Sequence, residues 1–255
     1  MSSVHLIRQS CHAVFRAICA EKCAIVLVRQ GRKAARTKDA QTVIRAGYLG
    51  VLPARVPLII ENQPSQGSYI ASALLFDETA LQELAVPPGD PHATSRDDRL
   101  TTAFERAATA LDDPLCPKRL REHAVREVLL WLAEVGIGFG SPVPLGFKEQ
   151  LRAHVSAEPD HPWRAAEAAR AMAVSEATLR RRLSSDGTTF GDMLADVRMT
   201  LALGLLQTTS LPINRIALDV GYACPSRFAQ RFRARFGITP SAIRTNDRRT
   251  LIGSA

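Results

Sequence analysis

The sequence predicts an α+β chain in two parts, a β-rich N-terminal part carrying two helices and an all-helical C-terminal part of about seven helices. Three observations predict it. Short β-branched runs punctuated by glycine, proline and asparagine fill residues 11–76. From Leu145 onward the apolar residues recur at helical spacing only. Between the two regimes, Gly136-Ile137-Gly138-Phe139-Gly140-Ser141-Pro142 interrupts the pattern as a linker does. A length of 255 residues suits two domains, and 46% apolar residues suffice for cores in both.

The β elements follow in order. Ala24 to Val28 is an apolar run ending at Gln30-Gly31, and Thr42 to Arg45 leads into the turn-like Ala46-Gly47. Tyr48 to Leu52 closes at Pro53, Val56 to Glu61 meets a turn signal at Asn62 to Gly67, and Tyr69 to Phe76 is the last run. Such runs suggest an antiparallel barrel or sandwich. Several are too apolar to alternate, so periodicity does not assign their faces.

Helical spacing begins after Asp77. Residues 78–84 form a short helix and 87–95 a polar loop. Residues 99–111 place Leu100, Ala103, Phe104, Ala107 and Leu111 on one face. Residues 118–135 place Leu120, Ala124, Val128 and Trp131 or Leu132 on one face. The expected organisation is therefore a β-rich domain over 1–97, linking or dimerising helices over 98–136, a flexible linker over 137–145 and a helical domain over 146–248. Helices are expected at 146–156, 164–171, 175–185, 189–208, 213–220, 225–236 and 240–247. Pro162 and Pro212 precede starts, and Gly187, Gly221 and Gly237 mark ends. Phe190, Leu194, Val197, Leu201 and Leu205 form a stripe along 189–208.

Charge points to function. The chain carries a net +8, with a pI near 9.7. Residues 1–140 hold 17 basic and 15 acidic side chains, net +2, and residues 141–255 hold 16 and 10, net +6. All sixteen of the latter basic residues except Lys148 are arginine, the side chain shaped to fork onto phosphate or guanine. A basic, arginine-rich end favours a nucleic-acid partner. No stretch approaches a transmembrane length and Met1 to Ala24 shows no secretory signal, so a cytoplasmic protein without membrane contact is expected. Cys11, Cys19, Cys23, Cys116 and Cys224 read as free thiols, and the scattered histidines predict no metal and no cofactor.

Two segments carry the nucleic-acid reading. In Trp163 to Leu183 a short helix bearing Ala166, Ala169 and Arg170 meets a tight turn at Met172-Ala173-Val174. Ser175 is a good N-cap, and Leu179 and Leu183 give the next helix a buried face. That helix exposes Glu176, Ala177, Arg180, Arg181 and Arg182. In Ile213 to Phe236 the buried face is Ile216, Ala217 and Val220, the turn is Gly221-Tyr222, and Phe228, Phe232 and Phe236 recur every four residues. The second helix there exposes Ser226, Arg227, Gln230, Arg231 and Arg233. Each is a helix-turn-helix outline, whose second helix enters a major groove with its N-terminal residues nearest the bases. The helix between them is about 30 Å long, close to the ~34 Å repeat of the groove. One chain then reaches two successive groove segments.

With these residues in place, the C-terminal region resembles the AraC/XylS family of transcription regulators. The resemblance runs through Trp163, Ala169, Val174-Ser175, Leu179, Arg181, Gly187, Phe190, Arg198, Ala202 and Leu205-Leu206. It continues through Pro212-Ile213, Ile216-Ala217, Gly221-Tyr222, Phe228, Phe232, Phe236-Gly237, Thr239-Pro240 and Arg244. It implies double-stranded promoter DNA and RNA polymerase as partners. By position it implies base reading from Ala177, Arg180 and Arg181, and from Ser226, Arg227 and Gln230. Gln230 departs from the arginine common there, which implies either weaker binding by the second unit or a preference for adenine over guanine. Cys224-Pro225 opens the second recognition helix where small polar residues are usual, with Cys224 either a cap-side small residue or a redox handle. Activation is the usual outcome in this family, repression the alternative.

The N-terminal part resembles the family's small cupin-like effector domains. That implies a small apolar or carboxylate effector, for which Arg32 and Lys33, within the cluster Arg29, Arg32, Lys33, Arg36 and Lys38, are the expected ligands. The plainer alternative for this cluster is a polar hairpin on the surface. Control through a partner chain or homodimer, by way of helices 99–111 and 118–135, is the alternative to a ligand. Arg198 reads as a structural ion pair or a DNA contact, and Arg170, Arg182 and Arg235 as solvated faces. No nucleophile elbow, zinc-protease, P-loop or dinucleotide motif occurs. Cys19 and Cys23 near His12 read as packing rather than a nucleophile and base, so no enzyme is expected.

Overall fold

The computed structural model describes residues 2–83, 89–139 and 146–244. The chain divides into two compact units, one built on residues 1–142 and the other on residues 143–243.

In the first unit eight strands form two four-stranded antiparallel sheets. The strands are β1 (Ser3–Gln9), β2 (Ala13–Ile18), β3 (Cys23–Gln30), β4 (Arg32–Arg36), β5 (Gln41–Arg45), β6 (Leu49–Leu52), β7 (Leu58–Gln63) and β8 (Tyr69–Phe76). One sheet has the order β1-β8-β3-β6 and the other β2-β7-β4-β5. Strand β3 is buried on both faces, which explains its unbroken apolar run. Ala24, Val26 and Val28 join Ile44, Tyr69, Ala71 and Ala73 in a core between the sheets. Cys23, Ile25 and Leu27 pack the other way, with Leu74 and Phe76, onto the helices α2 (Asp98–Asp112) and α3 (Lys118–Glu134). A short helix α1 (Thr79–Glu83) stands where residues 78–84 predicted one.

Several expectations need correction here. Strands β1, β2 and β4 were not expected as separate elements. Arg32-Lys33-Ala34-Ala35-Arg36 is no surface hairpin: its middle three residues are buried in the ladder between β5 and β7. On α3 the buried face is Val125, Val128, Leu129 and Leu132, and Leu120 is 58% exposed. The break at Gly136 is a turn within this unit, because Ile137 is fully buried in its core and the Phe139 ring sits edge-on to Phe76, centroids 5.3 Å apart. Residues 140–145 of the expected linker, and 245–248 of the expected helical domain, lie outside the described residues.

The second unit is helical. It runs α4 (Phe147–Ala157), α5 (Ala165–Ala171), α6 (Glu176–Ser185), α7 (Phe190–Thr208), α8 (Ile213–Asp219), α9 (Pro225–Phe236) and α10 (Pro240–Arg244). Gly187, Gly221 and Gly237 all adopt positive φ, as helix-ending glycines do. Helix α7 differs from a single-stripe helix. Met193, Met199, Ala202, Leu203 and Leu206 are buried along with Leu194 and Val197, while Phe190, Leu201 and Leu205 are only partly covered. It is covered on several sides because α4, α8 and α9 all pack against it.

Candidate nucleic-acid interface

The two helix-turn-helix outlines are both present, and their turns are built alike. After α5, Ala173 takes a left-handed φ of 52° and the Val174 N–H donates to the Ala169 carbonyl at 3.0 Å. After α8, Gly221 takes a φ of 82° and the Tyr222 N–H donates to the Ala217 carbonyl at 2.8 Å. In both, a residue in the left-handed region lets the next N–H reach five residues back, which reverses the chain in a few residues. The repeat that letters do not show is therefore a repeat of backbone geometry. Ala169 and Ala217, both buried, stand at the accepting carbonyl where a larger side chain would hold the two helices apart.

Each second helix is then started and oriented. The Ser175 hydroxyl accepts from the Thr178 N–H at 3.1 Å and caps α6. Leu179 and Leu183 bury against a core containing Leu151, Val155, Ala168, Met193 and Val197. At 3.6 residues per turn this leaves Ala177, Arg180 and Arg181 on the outer side, where all three are exposed. Glu176 is half-buried and pairs with Arg180. Arg182 lies nearer the seam and stacks 4.6 Å above the Phe147 ring. Helix α9 has Pro225 in its first turn and a left-handed Gly237 after its end. Phe228, Phe232 and Phe236 form its buried seam, with ring centroids 5.9 and 4.8 Å apart. They are core, so Ser226, Arg227, Gln230, Arg231 and Arg233 face outward and are exposed.

The electrostatics sharpen this picture. Arg181, Arg227, Arg231 and Arg233 make no ion pair among the described residues. Four exposed guanidinium groups without carboxylate partners on two reading helices leave both faces positive, ready for phosphate or base edges. Cys224 is exposed at the α9 N-cap, and its thiol is held below the ordinary value by the Ser226 hydroxyl and the Arg227 and Ser226 N–H groups.

Two arginines depart from their sequence readings: Arg235 is an ion-paired group rather than a solvated face, and Arg198 is held by carbonyls rather than by a carboxylate. Arg235 sits beside the phenylalanine seam, and its Nε donates to Asp196 at 2.7 Å. Arg198 is structural, but its acceptors are backbone carbonyls: Pro159 at 2.8 Å and His161 at 2.9 Å. Asp196 was not singled out from the sequence at all. The available signal was a carboxylate inside the apolar stretch of 189–208, beyond the first turn that Asp192 occupies.

In the first unit the basic cluster is dispersed rather than gathered. Arg29 pairs with Glu105 and Arg36 with Glu61, both at 2.8 Å, and Lys38 lies exposed beside Asp39. Arg32 and Lys33 are strand neighbours and point to opposite faces, Arg32 outward and Lys33 inward. Lys33 belongs to one sheet and lies 5.5 Å over the ring of Tyr69 in the other, so its ammonium stands between the sheets. It donates to the Asn62 Oδ1 at 2.8 Å, and the Asn62 amide donates to Gln9 at 3.0 Å. Burial lowers the Lys33 pKa to about 7, and the buried Tyr69 hydroxyl has no hydrogen-bond partner. Asn62 and Gln9 are the polar partners that sequence reading missed, because both were assigned to turn or uncharted positions. Two residues along the same face of β4, Ala35 lines a cavity of about 160 Å³ with Thr42, Leu52, Leu58, His92 and Phe139.

Comparison with known proteins agrees with this architecture. Residues 1–135 match the family model of the AraC-type transcriptional regulator N-terminus, and residues 168–246 match that of a helix-turn-helix domain. The chain therefore belongs to the AraC-type transcriptional regulators, a family of DNA-binding regulators rather than of enzymes. It is 33% identical over 99 residues to the HTH-type transcriptional regulator YdeO of Escherichia coli K12, a match covering 39% of this chain and 39% of YdeO. It is 34% identical over 96 residues to the virulence regulon transcriptional activator VirF of Shigella flexneri, covering 38% of this chain and 37% of VirF. Both matches span well under half the length of these relatives. The fold is similar to that of ToxT from Vibrio cholerae, solved with an unsaturated fatty acid bound. The TM-score is 0.63 at 14% identity, over 94% of this chain and 93% of ToxT. Among the described residues no helix is long and apolar enough to cross a membrane.

Proposed function

We propose that the chain binds promoter double-stranded DNA by setting α6 and α9 into two successive major-groove segments. The observation that carries this is the pair of like-built turns presenting outward arginines free of carboxylate partners. Arg181, opposite the buried seam of α6, and Arg227, in the first turn of α9, read bases, with Ala177, Arg180, Ser226 and Gln230. Arg231 and Arg233 flank the second helix and hold phosphate, which fixes register. Ser175 serves as a cap with its hydroxyl and meets DNA with its backbone. The regulator acts in the cytoplasm as an activator working through RNA polymerase, and no step of its action is catalytic.

The first unit senses a small effector. The cavity is close to the size that holds a single benzene ring, so a short or single-ring apolar body fits it. Lys33 lies two residues from Ala35 on the same face of β4, outside the cavity lining, and is the ammonium offered to a carboxylate on that body; ToxT with its fatty acid is a precedent of similar fold. Arg32, on the outer face, plays no part. A second reading, control through a homodimer, is favoured by the exposed Leu115, Leu120 and Leu130 around α3. Sedimentation with and without added monocarboxylate separates the two.

The test of the DNA reading is binding of the full chain to genomic fragments at two salt concentrations, followed by sequencing of what is retained. A recurring site with two half-elements about one helical turn apart is expected. Weak retention of all sequences alike would contradict it.

A further inference from the structure

Helix α7 does more than span the distance between the two reading helices. Asp196, near its middle, is held from both sides. One carboxylate oxygen accepts from Arg152 of α4 at 2.8 Å, and the other accepts from Arg235 of α9 at 2.7 Å. Arg152 is itself buried, and the side chains of Asp196 and Arg235 are each about three-quarters covered. Helix α4 packs on α6, the first reading helix, and α9 is the second. A single carboxylate thus ties the frame of one reading helix to the body of the other.

A second tie lies two residues on, at Arg198, and therefore on a different side of α7. Its guanidinium donates to the carbonyls of Pro159 and His161, in the segment joining α4 to α5, and lies 5.8 Å from the Tyr222 ring in the turn before α9. Gly221 is pressed into the same place, since a Cβ there would stand 2.8 Å from the Pro159 oxygen. With ties on two sides of α7, α9 cannot swing about that helix without breaking one of them. Partial burial limits competition from water at both ties, and charge-assisted hydrogen bonds are the stronger kind.

We infer that Asp196 is a positioning residue that fixes the relative register of the two reading helices, so that the protein accepts one spacing of its two half-elements and rejects others. Asp196 touches no base or phosphate. It acts through Arg152 and Arg235. The inference rests on the two-groove reading above. A flexible joint would let each helix find its half-element independently and would make spacing unimportant. A fixed joint carries the geometry of the protein into the DNA it selects.

The experiment uses the full chain and three duplexes built from a site recovered by genomic selection: the natural spacing, one base pair inserted between the half-elements, and a single half-element. An inserted pair rotates the second half-element by about 34–36° and shifts it by about 3.4 Å. The wild type is expected to bind the natural spacing at least tenfold more tightly than the inserted one. In Asp196→Ala that preference should fall to threefold or less, with affinity for the single half-element within twofold of wild type. Arg235→Gln, which cuts only the α9 side, should do the same and serves if Asp196→Ala does not fold. A preference kept at tenfold in both folded variants overturns the inference. So does a parallel loss on all three duplexes, which marks a merely structural role. A wild type indifferent to spacing, or binding the single half-element as tightly as the whole, removes the two-groove reading itself.

Discussion

Arg181 stands on α6 opposite the seam of Leu179 and Leu183, and no carboxylate among the described residues pairs with it. Its neighbour Arg180 already pairs with Glu176 and must break or share that pair to reach DNA. Truncating Arg181 to alanine is expected to cost about 1–3 kcal/mol of site binding and to relax the preference at one base position. Loss of equal size on every sequence would make it a phosphate contact instead, which competition binding against single-base variants reads directly. Lys33 offers a prediction of another kind. Its pKa of about 7 lies below the ordinary lysine value near 10.4 because burial disfavours the ammonium. Between those two values the unfolded chain holds a proton that the folded chain has released, so this group raises stability as pH climbs from 7 towards 10 and weighs against folding below 7. Lys33→Met should therefore stabilise the protein at pH 6, by a few kcal/mol, and flatten the rise above pH 7. Chemical denaturation at pH 6, 7.5 and 9 measures it, and an unchanged pH slope contradicts the burial argument.

At the scale of elements, the helical half was legible in the sequence and the β half only partly so. Helix ends are written in local chemistry, in Ser175, Pro212, Pro225 and the three left-handed glycines, and the observed bounds fall close to those signals. Strands β1 and β4 carry polar residues because β1 is an edge and β4 turns an ammonium inward, so neither shows the β-branched signature. The burial of α7 on several sides and the role of Asp196 depend on neighbours far along the chain, which no local window contains. Ala177, Arg180, Arg181, Ser226, Arg227, Gln230, Arg231 and Arg233 are exposed as the sequence predicts and Glu176 is only half so, whereas Arg29, Arg32, Lys33, Arg36 and Lys38 do not gather into one site. The paired turns carry a test. Ala173 holds a left-handed backbone that costs a residue with a Cβ roughly 1–2 kcal/mol. Ala173→Gly should relieve most of that and raise the melting temperature. Gly221→Ala adds the same backbone strain and drives a Cβ towards Arg198 and Pro159, so it should lower stability by more than Ala173→Gly raises it. Equal and negligible shifts for both would contradict the shared-turn geometry.

For the whole molecule, the excess of positive charge lies toward the C-terminal end of the sequence. The net +6 of residues 141–255 belongs almost wholly to arginines, and the described ones in the helical unit include four outward groups without carboxylate partners. A complex that neutralises several phosphates must release counterions, so log K should fall linearly with log salt, by about 0.9 for each phosphate contact. Arg233→Ala should lower that slope by about one while leaving sequence preference intact, the opposite signature to Arg181→Ala. Effector control asks for a different observable: a short aromatic or branched monocarboxylate should raise the melting temperature of the wild type and leave Lys33→Met unmoved.

The central claim is that one chain reads two groove segments with α6 and α9. Hydroxyl-radical footprinting of the full chain on a selected site tests it most directly. The account predicts two protected stretches on one face of the duplex, about one helical turn apart, with Arg181→Ala erasing one and Arg227→Ala weakening the other. A single protected stretch lost equally in both variants would contradict it.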